Sequence, residues 1–188
     1  MEADRVPEAR LAQTEDGLVP EAEGWFVVNA REARWWAQEG FGAAVTFEGP
    51  EARFHDLGIN IQVLDPGEPN GMYHGENSQE DFLVLYGECL LLVEGEERLL
   101  RQWDFVHCPP WTEHIIVGAG DGPCAVLMVG TRPKGDEDQI VYPAVEVAQK
   151  HGAGVPEETR SAEEAYAPFP RSSPQPYPDG ALPRFAGS

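Results

Sequence analysis

The stretch from Gly67 to His114 constrains the whole chain more than any other. Its first half runs Gly67-Glu-Pro-Asn-Gly-Met-Tyr-His74-Gly-Glu76-Asn-Ser-Gln-Glu80-Asp-Phe-Leu-Val-Leu-Tyr-Gly87. Its second half runs Trp103-Asp104-Phe-Val-His107-Cys-Pro109-Pro110-Trp111-Thr-Glu-His114. Side chains alternate faces along an extended strand, so His74 and Glu76 point the same way. Glu80 keeps that parity where the intervening turn adds no bulge. One face then carries an imidazole and two carboxylates, and His114 supplies a second imidazole from another strand.

The surrounding chain reads as short strands. Residues 57–63, Leu-Gly-Ile-Asn-Ile-Gln-Val, alternate as a half-buried strand does and end at the turn Asp65-Pro66-Gly67. Residues 41–47, 82–86, 88–93, 98–103 and 124–129 form further strands, punctuated by Gly49-Pro50, Gly87, Glu94-Gly95-Glu96 and the glycine-rich turn at 118–123. This pattern predicts an all-β fold, an antiparallel barrel or sandwich. Residues 90–93 and 125–129 are apolar on both faces, so something must cover their outer side. A homodimer interface is the first expectation, and terminal extensions wrapping the sheet are the alternative.

Outside that core the expectations are looser. Residues 1–23 read as a flexible arm and 24–28 as a short strand. Asn29 and Glu32 match a capping box, predicting a helix over 30–39 that ends at Gly40 and packs Trp35 and Trp36 against the barrel. Pro143 opens a helix that runs to Lys150 and stops at Gly152, and Ser161 with Glu164 marks a second short capped turn. After Ala167 the chain is rich in Pro, Ser and Gly, a draped tail whose Phe169, Tyr177 and Phe185 are expected to dock, for example on a neighbouring subunit. The predicted organisation is an arm (1–23), a β-domain (24–142), and short helices with a Pro-rich tail (143–188).

Composition narrows the function. A length of 188 residues suits one domain. Against 13 Lys plus Arg stand 33 Asp plus Glu, a formal charge of −20 that repels phosphate backbones and argues against a nucleic-acid partner. No apolar run nears the roughly 20 residues of a membrane span, and the start lacks a secretory signal, so a cytoplasmic, non-membrane protein is expected. Cys89, Cys108 and Cys124 lie inside apolar segments and read as buried free thiols. Phosphate loops, Cys-x-x-Cys pairs and Gly-x-Ser-x-Gly elbows are absent from the sequence.

The central motifs resemble those of the cupin family. Gly67, His74, Glu80 and Gly87 fit its first motif, and Asp104, Pro109 and His114 fit its second, over about residues 57–129. Two positions depart from it: Glu76 stands where the family has the second histidine of His-x-His, and Trp111 replaces the glycine of Pro-x-Gly. The resemblance implies a double-stranded β-helix, or jelly roll, holding one divalent transition metal through His74, Glu80 and His114, with Glu76 as fourth ligand or as a catalytic base. Two imidazoles with one or two carboxylates favour Fe or Mn, with Zn, Ni or Co as alternatives. Tyr73, Phe82, Tyr86, Trp111 and Ile116 are the candidate substrate wall. His107 faces away from His114 by parity and reads as a hydrogen-bonded histidine. Arg53 and Arg101 offer charge for an acidic substrate, with no position assigned to them. The implied activity is a dioxygenase-type (oxidoreductase) or isomerase-type reaction on a small organic molecule. The alternatives are a non-catalytic ligand- or metal-binding module and an oligomeric assembly protein.

Overall fold

The computed structural model describes residues 5–132 and 139–183. Its centre is two antiparallel sheets facing one another. The larger takes strands in the order β10 (Phe105–Cys108), β7 (Glu80–Tyr86), β12 (Cys124–Thr131), β5 (Leu57–Leu64), β4 (Ala43–Thr46), β3 (Trp35–Ala37) and β14 (Ser173–Gln175). The smaller is β11 (His114–Ala119), β8 (Glu88–Val93) and β9 (Glu96–Arg101). A short pair, β6 (Gly75–Glu76) with β13 (Ile140–Val141), continues from the smaller sheet through backbone bonds between His74 and His114. This is the antiparallel double-stranded β-helix that the strand pattern and motifs predict.

Alternation on the strands builds the core between the sheets. Leu64, Phe82, Val84, Val126 and Met128 point inward from the larger sheet and meet Cys89, Leu91 and Ile116 from the smaller. The three cysteines are free and buried, as expected. Gly87 turns β7 into β8 at φ 72°, and a Cβ there would fall 2.6 Å from the Pro123 carbonyl oxygen, so only glycine fits.

The outer faces of the doubly apolar strands are covered in part by the chain's own extensions. On β8 and β11, Leu92, Ile115 and Val117 pack under Ala148 of helix α1 (Glu146–Lys150) and under Ala153. On the larger sheet, Ala125 and Val63 pack with Val45 and Trp35, and Tyr177 and Leu182 close over them.

The extensions also carry the corrections. Where a flexible arm is expected, strands β1 (Leu11–Thr14) and β2 (Gly17–Pro20) form a hairpin, tied to the chain at 32–34 through Leu18. Residues 24–28 make only a single bridge, Trp25 to Glu8. The helix expected over 30–39 does not form. Asn29 Oδ1 accepts from the Arg31 amide and its carbonyl from Glu32 and Ala33, one turn that is not continued, and Trp35 to Ala37 then join the sheet as β3. Burial of the Trp35 ring under the tail outweighs the modest helix propensity of this stretch. The second capped turn is present: Ser161 Oγ accepts from the Glu164 amide at the start of α2 (Ala162–Ala165). The tail docks on its own chain rather than on a neighbour, with β14 pairing β3, Tyr177 against Trp35 and Phe169 against Phe41. Phe185 lies outside the described residues.

Candidate metal centre

Strand pairing explains why the two histidines meet. His74 and His114 are directly opposite one another and exchange both backbone bonds, His74 N to His114 O at 3.2 Å and His114 N to His74 O at 2.8 Å. Their side chains therefore leave the same face, with ring centroids 5.2 Å apart. Glu80 arrives differently from the expectation. The chain turns at 77–79 and crosses to the larger sheet, so Glu80 faces the imidazoles across the gap instead of sharing their strand face. Its Oε2 lies 3.1 Å from His114 Nε2 and 3.5 Å from His74 Nε2.

Each ring is fixed from behind. His74 Nδ1 donates to the Met72 carbonyl at 2.8 Å and His114 Nδ1 to the Thr112 carbonyl at 2.9 Å, which leaves both Nε2 atoms facing Glu80. This second tether is what orients a metal-ligating imidazole. Glu80 Oε2 is buried and makes no hydrogen bond of acceptable geometry, despite the short distances to both rings. Three donors within 4.8 Å of one another, two of them tethered and the third orphaned, fit a divalent cation. In the metal-free state burial works to raise the Glu80 pKa, but the two imidazoles outweigh it and hold the carboxyl at about 2. Burial likewise works to lower the His114 pKa, and the Cys108 thiol and Glu80 push it up to about 10. A divalent metal bound there would displace the proton from His114 Nε2.

Glu76 shares the His74 face, as parity predicts, but lies outside the three-donor set, its Oε2 4.0 Å from His74 Nε2. Of the expected wall, Phe82 is brought to the centre, its ring 5.2 Å from that of His114, and Ile116 lies below it in the core. The other three are not brought there. Tyr73 has the opposite parity to His74 and packs with Leu92 and Ile115 on the far face, where its hydroxyl accepts from Gly95 N. Tyr86 ends β7 at the opposite end of the strand from Glu80 and is exposed. Trp111 is exposed at the rim, its amide donating to the Glu76 carbonyl at 2.6 Å. It holds φ 70°, the left-handed conformation that the family's glycine adopts freely and a tryptophan reaches at a cost of about 1 kcal/mol. His107 points outward as predicted and is bound to Asp81 at 2.6 Å, but it is exposed. Tyr142, which no sequence signal singles out, lies with its ring tilted toward His74, centroids 6.0 Å apart. No periodic signal marks it, because the strand it follows, β13, is only two residues long.

Comparison with known families agrees with this geometry. The family profile described as Cupin domain matches residues 60–130. Residues 60–130 thus carry a cupin domain. Among solved structures it is similar to a protein of Acidithiobacillus ferrooxidans provisionally described as a sugar phosphate isomerase, at 27% identity and TM-score 0.41, over 46% of this chain and 54% of that one. It is also similar to a sugar phosphate isomerase from a cupin superfamily of Silicibacter pomeroyi, at 23% identity and TM-score 0.44, over 60% and 71%. A Cupin 2 conserved barrel domain protein of Salinispora arenicola matches at 24% identity and TM-score 0.41, over 46% and 72%. The chain spans about half the length of the first of these. Comparison with curated proteins gives no match. Among the described residues no helix is long and apolar enough to cross a membrane.

Proposed function

We propose that this chain is a metal-dependent cupin enzyme that moves a proton on a small organic molecule, an isomerase-type activity with Glu76 as the base. The observation that carries it is the convergence of tethered His74 and His114 Nε2 atoms on an orphaned Glu80 oxygen, with a further carboxylate beside the set. A divalent metal held by His74, Glu80 and His114, Fe or Mn first and Zn, Ni or Co as alternatives, supplies Lewis-acid polarisation of a substrate oxygen. The chain's own groups do the rest. Glu76 accepts the proton from the adjacent carbon and returns it. Phe82 and Ile116 close the inner side against water, and the hydrogen bonds to Met72 and Thr112 keep the imidazoles oriented. A dioxygenase reading rests on the same two-imidazole, one-carboxylate set, which leaves coordination positions open for oxygen.

Elemental analysis of protein purified without added metal tests the reading, together with Glu76→Gln. About one equivalent of iron or manganese, retained in Glu76→Gln while turnover is lost, is the expected result. Metal-free protein that takes up none on reconstitution overturns it.

The outer face of the larger sheet supports a homodimer. Phe105, Leu83 and Leu127 are successive cross-strand partners on the part of that face beyond the cluster the tail covers, and Phe105 is 63% exposed. Light scattering is expected to give twice the chain mass, and Phe105→Glu the mass of one chain.

A further inference from the structure

Two glycines beside Glu80 have no backbone reason to be glycine. Gly58 on β5 is the direct partner of Gly130 on β12, and Gly130 is the partner of Glu80 on β7, so all three share the inner face. Neither glycine has positive φ. A Cβ on Gly130 would come no nearer than 3.7 Å to Glu80, and one on Gly58 no nearer than 3.5 Å to Arg132, both ordinary contacts. Glycine inside a strand costs stability, and what it provides here is a shelf of backbone bare of side chains, bordered by Glu80 and Arg132. The shelf starts at the Glu80 carboxylate and extends across two strand spacings, roughly 10 Å.

Arg132 overhangs the far end. It lies two residues past Gly130 and so on the same face. Its Nη1 and Nη2 donate end-on to the two Glu48 oxygens at 2.8 and 2.7 Å, and Nη1 also donates to the Phe54 carbonyl at 2.5 Å. That arrangement leaves the side edge, Nε and the second Nη2 hydrogen, without an acceptor among the described residues. Nη2 and Nε are also the atoms nearest the shelf, 3.5 and 3.6 Å from the Gly58 Cβ position. Two parallel N–H groups on a guanidinium edge match the oxygens of a carboxylate or phosphate. Glu48 takes only the end-on edge of the guanidinium, so the side edge is left for a second acceptor. One row deeper, Asn60 lies on the same face with its Oδ1 buried and unpartnered, an acceptor for a hydroxyl group.

The geometry points to a two-ended acidic substrate: oxygen atoms at the His74, Glu80 and His114 centre, a carboxylate or phosphate on the Nε–Nη2 edge of Arg132, and a short hydroxylated carbon chain over Gly58 and Gly130. This rests on the metal-centre reading and names the substrate class of that site. Arg132 is a specificity-determining residue in it.

The test is calorimetric titration of the full chain loaded with Co(II), using malate, 3-phosphoglycerate and uncharged butane-1,2,4-triol as probes. At least one acid is expected to bind and the triol not to, and which acid binds distinguishes carboxylate from phosphate. Arg132→Gln is expected to weaken the acid at least tenfold, and Arg132→Lys, which keeps the charge but loses the fork, several-fold, with Co(II) uptake unchanged. Gly58→Ala fills the shelf at an ordinary contact distance from Arg132, close enough to crowd the Nε–Nη2 edge without forcing the Arg132–Glu48 pair apart, and is expected to weaken the acid several-fold even if Arg132→Gln fails to fold. Co(II) uptake with no acid bound, or with acid affinity unchanged in Arg132→Gln and Gly58→Ala, overturns the inference and leaves the metal centre standing. If the chain takes up no Co(II), the metal reading falls. The same titrations on metal-free chain then judge the Arg132 edge: loss of acid binding in Arg132→Gln sustains it, and no binding overturns it.

Discussion

Replacing His114 with alanine is expected to lower Co(II) or Mn(II) affinity by more than about a hundredfold, since loss of a ligand exceeds the 10- to 100-fold cost of losing a mere ligand support. The same change strips the partner from a carboxylate held in the gap between the sheets. His114 is only 4% exposed, and Glu80 would be left with the more exposed His74 as its remaining partner. Breaking a buried pair from one side costs about 3 kcal/mol, so metal-free His114→Ala should unfold at clearly lower urea than metal-free parent. His107→Ala is the control. That ring is bound to Asp81 on the outer face, half exposed, and its loss should change neither metal content nor the urea midpoint by a measurable amount. Metal retained at parental affinity in His114→Ala would mean that the three converging donors are a structural ion pair and nothing more.

Trp35→Ala is expected to be the most damaging change outside the centre. The ring is fully buried, donates from Nε1 to the Ala30 carbonyl at 2.8 Å, and meets Tyr177 edge-on at 5.5 Å. Truncating a buried aromatic of this size costs about 3–5 kcal/mol. The effect should also be local in a way that hydrogen exchange can read. Residues 173–177 lose the surface they lie on, so their amides should exchange as fast as an unprotected chain while those of β5 and β12 remain slow. Trp36→Ala, a half-buried ring over the Arg34 guanidinium at 5.0 Å, should cost less than about 1 kcal/mol. Equal losses at the two tryptophans would contradict the assignment of Trp35 as the anchor of both extensions.

What could be read from the sequence depended on how far each signal reached. Periodicity of two fixes which face a residue takes on one strand, and it placed His74 with Glu76, Phe82 with Glu80, and His107 opposite His114. It does not say which strands face one another, and so Glu80 was expected beside His74 rather than across from it. Tyr73 adjoins His74 and so takes the opposite face, which alternation alone dictates, whereas Tyr86 failed for a related reason. A wall residue must match the ligands in height along the strand as well as in face, and height is set by pairing register. The helix expected at 30–39 failed because a capping pattern is local, while burial under residues 173–182 comes from the other end of the chain. Arg132 went unnoticed because nothing in its neighbourhood marks it. Its meaning comes from Gly58, its diagonal neighbour on the adjacent strand.

The coat over the larger sheet also has a kinetic meaning. Arg31 Nη2 holds the Pro183 carbonyl across 152 residues of chain, Gln38 holds the Pro170 carbonyl across 132, and β3 cannot gain its β14 neighbour until the tail has come round. Contacts closed over so long a loop repay their entropy only after both ends have somewhere to land. The strands from β4 to β12 can assemble through nearer neighbours, with β3–β14 zipped up afterwards. In refolding, the Trp35 fluorescence change that reports Tyr177 docking should therefore trail the burial of the β5, β7 and β12 interior.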